Sequence, residues 1–150
     1  MTNKLTKNQQ AVLHQLIENK ISEMESLISR NENEELKKAE NTPPKDVKKI
    51  FNEYKKAFDK YLKLEKRMRE LEEQVKEKRW YISVYSSKPN LIMHYENPVS
   101  RKIMAKAREK KDKLATLKEQ LELEITFLNK PLNIVEYLNE IDKKIQDTIK

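Results

Sequence analysis

"VKKIFNEYKKAFDKYLKLEKRMRELEEQV", residues 47–75, sets Val47, Ile50, Tyr54, Ala57, Tyr61, Leu64, Met68, Leu71 and Val75 at alternating steps of three and four. An unbroken 3,4 repeat keeps one apolar stripe turned toward a partner as helices supercoil, so this segment requires another helix against it. Phe51 and Phe58 widen the stripe in its first half, whereas Glu65 and Glu72 hold the corresponding later positions. More neighbours are therefore expected early than late. Thr42 followed by Pro43 and Pro44 suits a helix start, because the N–H that proline lacks is not needed in the first turn. The pattern predicts one continuous helix over 43–79, about 55 Å long.

Working outward, Asn97 and Pro98 make a second start signal, and Ile103, Ala107, Leu114, Leu117, Leu121 and Leu128 continue the spacing over 98–129. Lys110 and Glu124 interrupt it, either fixing register or reaching solvent where the packing is thin. Fewer than twenty residues separate the two helices, too few to cross about 50 Å and return in parallel, so they are expected to run antiparallel as a coiled-coil hairpin. Upstream, Thr6 and Gln9 fit a capping box, and Leu13, Leu16, Ile17, Ile21, Met24, Leu27 and Ile28 mark the apolar face of a helix over about 6–39. Downstream, Pro131 ends the third helix, and Ile134, Leu138, Ile141, Ile145 and Ile149 build a fourth over 133–149. The expected fold is all-α, an elongated antiparallel coiled-coil hairpin within a four-helix bundle, forming a single domain of 150 residues.

Composition supports long solvated helices: 37% of residues are hydrophobic and 38% charged. Disorder is the competing reading, and the sustained helical spacing argues against it. Glycine is absent, which argues against phosphate-cradling loops and against tight turns with positive φ. Cysteine is absent too, so disulfides and thiolate metal sites are excluded. The start "MTNKLTKNQQ" has no apolar signal-peptide core, and no run approaches the roughly 18 apolar residues of a membrane span. A cytoplasmic protein with no membrane partner is the default expectation.

Between the two central helices lies "RWYISVYSSKPNLIMHYENP", residues 79–98, in which only Lys88 is charged between Trp80 and Tyr95. "WYISVY" is aromatic and β-branched, "SSKPN" suits a turn and "LIMHY" suits a return, so a small β-hairpin over 80–97 is possible at the tip of the helical hairpin. Residues 63 to 113 hold 15 Lys and Arg against 8 Asp and Glu, which accounts for the whole net charge of +7. An exposed basic focus attracts phosphates and acidic partners in a salt-dependent way. Arg79, Trp80, Tyr81, Tyr85, Tyr95, Arg101, Lys102, Lys106 and Arg108 are the candidate contacts for another protein or for nucleic acid. The plainer alternatives are solvated lysines interleaved with glutamates, and aromatics that cap the core.

Catalytic signatures are lacking. His14 and His94 are the two histidines, far apart in sequence and without a helical metal spacing; the serines have no flanking glycine of a nucleophile elbow; the carboxylates read as helix-surface pairs. No enzyme activity, metal or cofactor is expected. "LTKNQQAVLHQL", through Leu5, Thr6, Gln9, Val12, Leu13 and Leu16, resembles the opening helix of some winged-helix regulators. That family continues with a short helix, a recognition helix and a glycine-bearing wing. This chain instead continues as one long amphipathic pattern without glycine, so no DNA-reading residue carries over. The expected function is that of a non-enzymatic interaction protein, an adaptor, regulator or inhibitor. The alternatives are a nucleic-acid-binding protein and a structural homo-oligomer.

Overall fold

The computed structural model describes residues 5–60, 64–128 and 133–150. Those residues form five α-helices and one small antiparallel sheet: α1 (Lys7–Glu40), α2 (Lys45–Asp59), α3 (Glu65–Glu77), β1 (Trp80–Tyr85), β2 (Lys88–Met93), α4 (Pro98–Thr126) and α5 (Ile134–Ile149). Tyr61, Lys63 and Pro131, on which part of the sequence reading falls, lie outside the described residues. The chain divides into two compact units. One takes the chain up to Asn31 and from Lys106 onward, the other runs from Glu32 to Ala105, and α1 and α4 contribute to both.

The first unit is built from three helical stripes. Leu13, Ile17, Ile21 and Ile28 come from α1, Ala107, Leu114, Leu121 and Ile125 from α4, and Tyr137, Ile141 and Ile145 from α5. Their steps of four and seven put each set on one helix face, and fully burying a large apolar side chain of this kind is worth about 1.5–3 kcal/mol. Lys20 pairs with Asp142 at 2.6 Å across α1 and α5, and Lys144 with Glu124 at 3.8 Å across α5 and α4. Both pairs are solvent-facing and add little. At the start of α1 the capping box is present: the Thr6 N–H donates to Gln9 Oε1 at 2.9 Å and the Gln9 N–H to Thr6 Oγ1 at 3.1 Å. Asn133 caps α5, its side chain accepting from the Glu136 N–H at 3.3 Å.

In the second unit the structure departs from the expected 43–79 helix. That segment holds two helices, α2 and α3, folded against each other in antiparallel fashion. Asp46 meets Lys78 at 2.6 Å, Glu53 meets Arg67 at 2.9 Å, and the Tyr54 hydroxyl donates to Glu72 at 3.1 Å. The helix that the stripe demands as a partner is thus the other half of the same segment, and Val47 packs in one cluster with Val75. The expected pairing with a 98–129 helix has no single long helix on its first side. Nothing in the composition announces the break. Lys60 (φ −93°, ψ 9°) ends α2 and Leu64 (φ −108°, ψ 14°) precedes α3, both in conformations open to any residue. The expected start at Thr42 also shifts: its hydroxyl donates back to the Lys38 carbonyl at 2.8 Å, closing α1, and α2 begins at Lys45.

The sheet is a two-residue hairpin. Trp80 pairs with Met93, Tyr81 with Ile92, Ile82 with Leu91, Ser83 with Asn90, Val84 with Pro89 and Tyr85 with Lys88. The turn is Ser86–Ser87, with φ of 51° and 60°. Left-handed conformation at both central residues is the type I′ geometry whose twist matches the flanking strands. The absence of glycine had argued against such a turn. It forms with serines because the ladder of paired strands holds it closed, against a cost of about 1–2 kcal/mol per left-handed residue.

Candidate functional site

A strand shows alternate side chains to opposite faces, and residues paired directly across the ladder share a face. Here the alternation is decided by Trp80. It is 2% exposed and packs with Val47 and Val75, while Ile50, Ile82, Leu91 and Met93 close the cluster around it. Tyr81, Ser83 and Tyr85 therefore point the other way, opposite Ile92, Asn90 and Lys88. Tyr85 is 77% exposed and Tyr95, just beyond β2, is 65% exposed. From Tyr85 to Tyr81 the face runs roughly 14 Å along the strand.

The base of this face is fixed by hydrogen bonds. Arg79, at φ 66°, turns the chain out of α3 into β1, and its carbonyl accepts from the His94 N–H at 3.0 Å and from the Asn97 side-chain amide at 3.3 Å. Asn97 is buried. Its Oδ1 accepts from the Val99 N–H at 2.9 Å, and its carbonyl accepts from the Arg101 N–H at 2.8 Å, so one residue both clamps the hairpin and starts α4. His94 Nδ1 accepts from the Glu96 N–H at 2.9 Å, which leaves Nε2 as the ring's donor position. The His94 ring lies between two tyrosines: Tyr81 meets it edge-on at 4.8 Å between ring centres, and Tyr95 stacks on it at 4.6 Å. Such contacts hold rings in a fixed orientation and are worth about 0.5–1.5 kcal/mol beyond area burial.

The nine residues singled out from the sequence separate into four groups. Tyr81, Tyr85 and Tyr95 are exposed around the hairpin's outer face, whereas Trp80 belongs to the core and is no contact residue. Its indole fills the space between the hairpin and the α2–α3 pair, as its cluster with Val47 and Val75 records. Arg79, Arg101 and Lys102 are exposed in the same unit, and Arg79 reaches Glu96 at 3.6 Å. Lys106 and Arg108 are exposed on the part of α4 assigned to the other unit. Sequence reasoning missed Ile92, Asn90 and His94. An inward Trp80 and a two-residue turn fix all three by alternation and register.

Part of the basic surplus is spent locally. Arg67 pairs with Glu53 and Glu70, Arg69 with Glu65, Lys78 with Asp46 and Lys113 with Glu109. Among the described residues, Lys88, Arg101 and Lys102 form no ion pair. Hollows among the described residues lie elsewhere. One of about 380 Å³ runs along α2 between Lys45, Lys49 and Lys56, and one of about 180 Å³ is lined by Val12, Leu13 and Ile134. The first gathers solvated lysines on one helix, and the second has a mostly apolar lining. Among the described residues no three His, Asp or Glu side chains are grouped to hold a metal ion, and no helix is long and apolar enough to cross a membrane. Comparisons of the chain with protein-family models, with curated proteins and with solved structures find no match.

Proposed function

We propose that this chain is a non-enzymatic, cytoplasmic interaction protein, acting as an adaptor, regulator or inhibitor, that binds a macromolecular partner through the outer face of its β-hairpin. One observation carries the reading. The inner face of the hairpin is filled by its own helices, while the outer face shows Tyr81, Ile92, Tyr85 and the neighbouring Tyr95 to solvent. Tyrosine supplies large contact area at small entropic cost and a hydroxyl that keeps an exposed ring soluble, which is why it recurs in binding surfaces. The contacts with His94 pre-order the Tyr81 and Tyr95 rings before any partner arrives.

A photoreactive phenylalanine analogue placed at Tyr85, compared with the same group at exposed Lys143 on α5, tests the reading in the native host. Adducts that form at position 85 and not at 143 support it. Absence at both, or equal yield at both, removes it. A self-adduct at position 85, with a sedimentation mass above 18.0 kDa, makes the partner a second copy of the chain and selects the homo-oligomeric alternative.

A further inference from the structure

We infer that the outer face of the hairpin is a site for unpaired nucleotides in single-stranded nucleic acid. The inference rests on the proposed function and names the chemistry of the partner. Three properties of the face favour bases and phosphates over an apolar protein surface.

The first is ring presentation. Tyr85 and Tyr95 are 77% and 65% exposed, so ring surface remains free beyond their contacts within the chain, while the aliphatic content of the face is little more than Ile92. A protein interface core wants a contiguous, desolvatable apolar patch. Separated tyrosines on a ribbon offer instead a series of flat stacking platforms, and every base has a π-face to lay on them. The second is the polar lining between the rings. Ser83 and Asn90 are paired across the ladder on that face, and between Tyr81 and Tyr95 there is no carboxylate to repel phosphate. The third is charge. Lys88 stands directly across from Tyr85 at the outer end of the face, and Arg101 and Lys102 sit near the start of α4, beyond the Asn97 clamp, none of the three in an ion pair among the described residues. Stacking on tyrosine with cations tracking the backbone is the arrangement by which single strands are held without strong sequence preference.

Fluorescence anisotropy of the full chain with labelled oligo(dT), oligo(U) and a short duplex, at about 50 and about 200 mM salt, tests the site. Single strands should bind more tightly than the duplex, and the dT and U arms decide between DNA and RNA. With three or four phosphates neutralised and a single-strand slope near 0.7 per phosphate, affinity should fall roughly 20- to 50-fold between the two salt concentrations. Tyr85→Ala should weaken binding about fivefold or more, Tyr85→Phe should restore it, and Lys88→Ala should lower the salt slope. Circular dichroism spectra should not change, because both side chains are exposed. Lack of single-strand binding at the lower salt, a preference for duplex, or equal affinity of wild type and Tyr85→Ala would each overturn the inference. If oligonucleotides fail while the photoreactive group at position 85 still yields a protein adduct, the nucleic-acid assignment falls and the interaction face stands. If both fail, both readings fall.

Discussion

Replacing Ser86 with Asn and Ser87 with Gly should stabilise the protein. Both serines sit at positive φ, 51° and 60°, where a Cβ crowds the following carbonyl at a cost of about 1–2 kcal/mol per residue. Glycine at 87 relieves that crowding but gives back about 0.5–1 kcal/mol of extra unfolded-chain entropy. Asparagine at 86 tolerates the left-handed region better than serine does, and Asn-Gly is the preferred pair for a type I′ turn. The net gain is about 1 kcal/mol, or roughly 2–4 °C in melting temperature if the chain melts as a whole. Thermal unfolding by circular dichroism measures the total, and amide exchange at Tyr85 and Lys88 localises it to the hairpin. Ser83→Gly is the matched control: it lies within β1 and should cost about 0.5–1 kcal/mol. An unchanged or lower melting temperature for the turn variant, with Ser83→Gly behaving the same way, would refute the assignment of left-handed geometry to the serines.

Trp80→Ala removes the side chain shared by both strands and by the α2–α3 pair, and should cost about 3–5 kcal/mol in chemical denaturation; a loss below 1 kcal/mol would mean that the indole is not core. The Tyr137 hydroxyl is buried and has no hydrogen-bond partner among the described residues, so Tyr137→Phe should be neutral or raise stability by up to about 1–3 kcal/mol. Burial, then the nearby Glu124 and Glu140, push the Tyr137 phenol up to about 12, so the folded state holds its proton where the unfolded chain releases it. Stability from this group is intact below about pH 10 and declines as pH rises from there toward the folded value, and the phenylalanine variant should show a flatter alkaline limb in urea melts. Asp46 behaves oppositely: its hydrogen bonds with Lys78 and the Val47 N–H hold its carboxyl below the usual range. Its contribution is present above about pH 4 and is lost as pH falls through the lower folded value, so Asp46→Asn should shrink the difference between neutral and acid melts.

Helix existence was legible because burial on a helix leaves a 3,4 trace, and Leu13, Ile17 and Ile21 wrote it as clearly as Val47 to Val75 did. The trace does not say which helix lies opposite. An apolar stripe that doubles back on itself keeps its spacing through the turn, so Val47 facing Val75 looks the same in sequence as both facing a distant partner. The hairpin was legible in outline from "WYISVY" and its return. Its faces were not, because Trp80 and Tyr81 carry equal promise as contacts until one of them is placed in the core. The serine turn was hidden for another reason: positive φ is read from glycine, and this chain adopts it at Arg79, Ser86 and Ser87 without any.

Pro89 gives the little sheet a sidedness. In a two-residue hairpin the Tyr85–Lys88 pair exchanges its hydrogen bonds inward, so the next residue on β2 turns its backbone outward. Proline there has no N–H to offer, and an incoming strand laid along β2 loses a rung. The opposite rim, along Ile82 and Val84, keeps its donors. Templated growth into a larger ribbon, whether by a foreign peptide or in a fibril, has one side from which to start and a blunted side at which to stop.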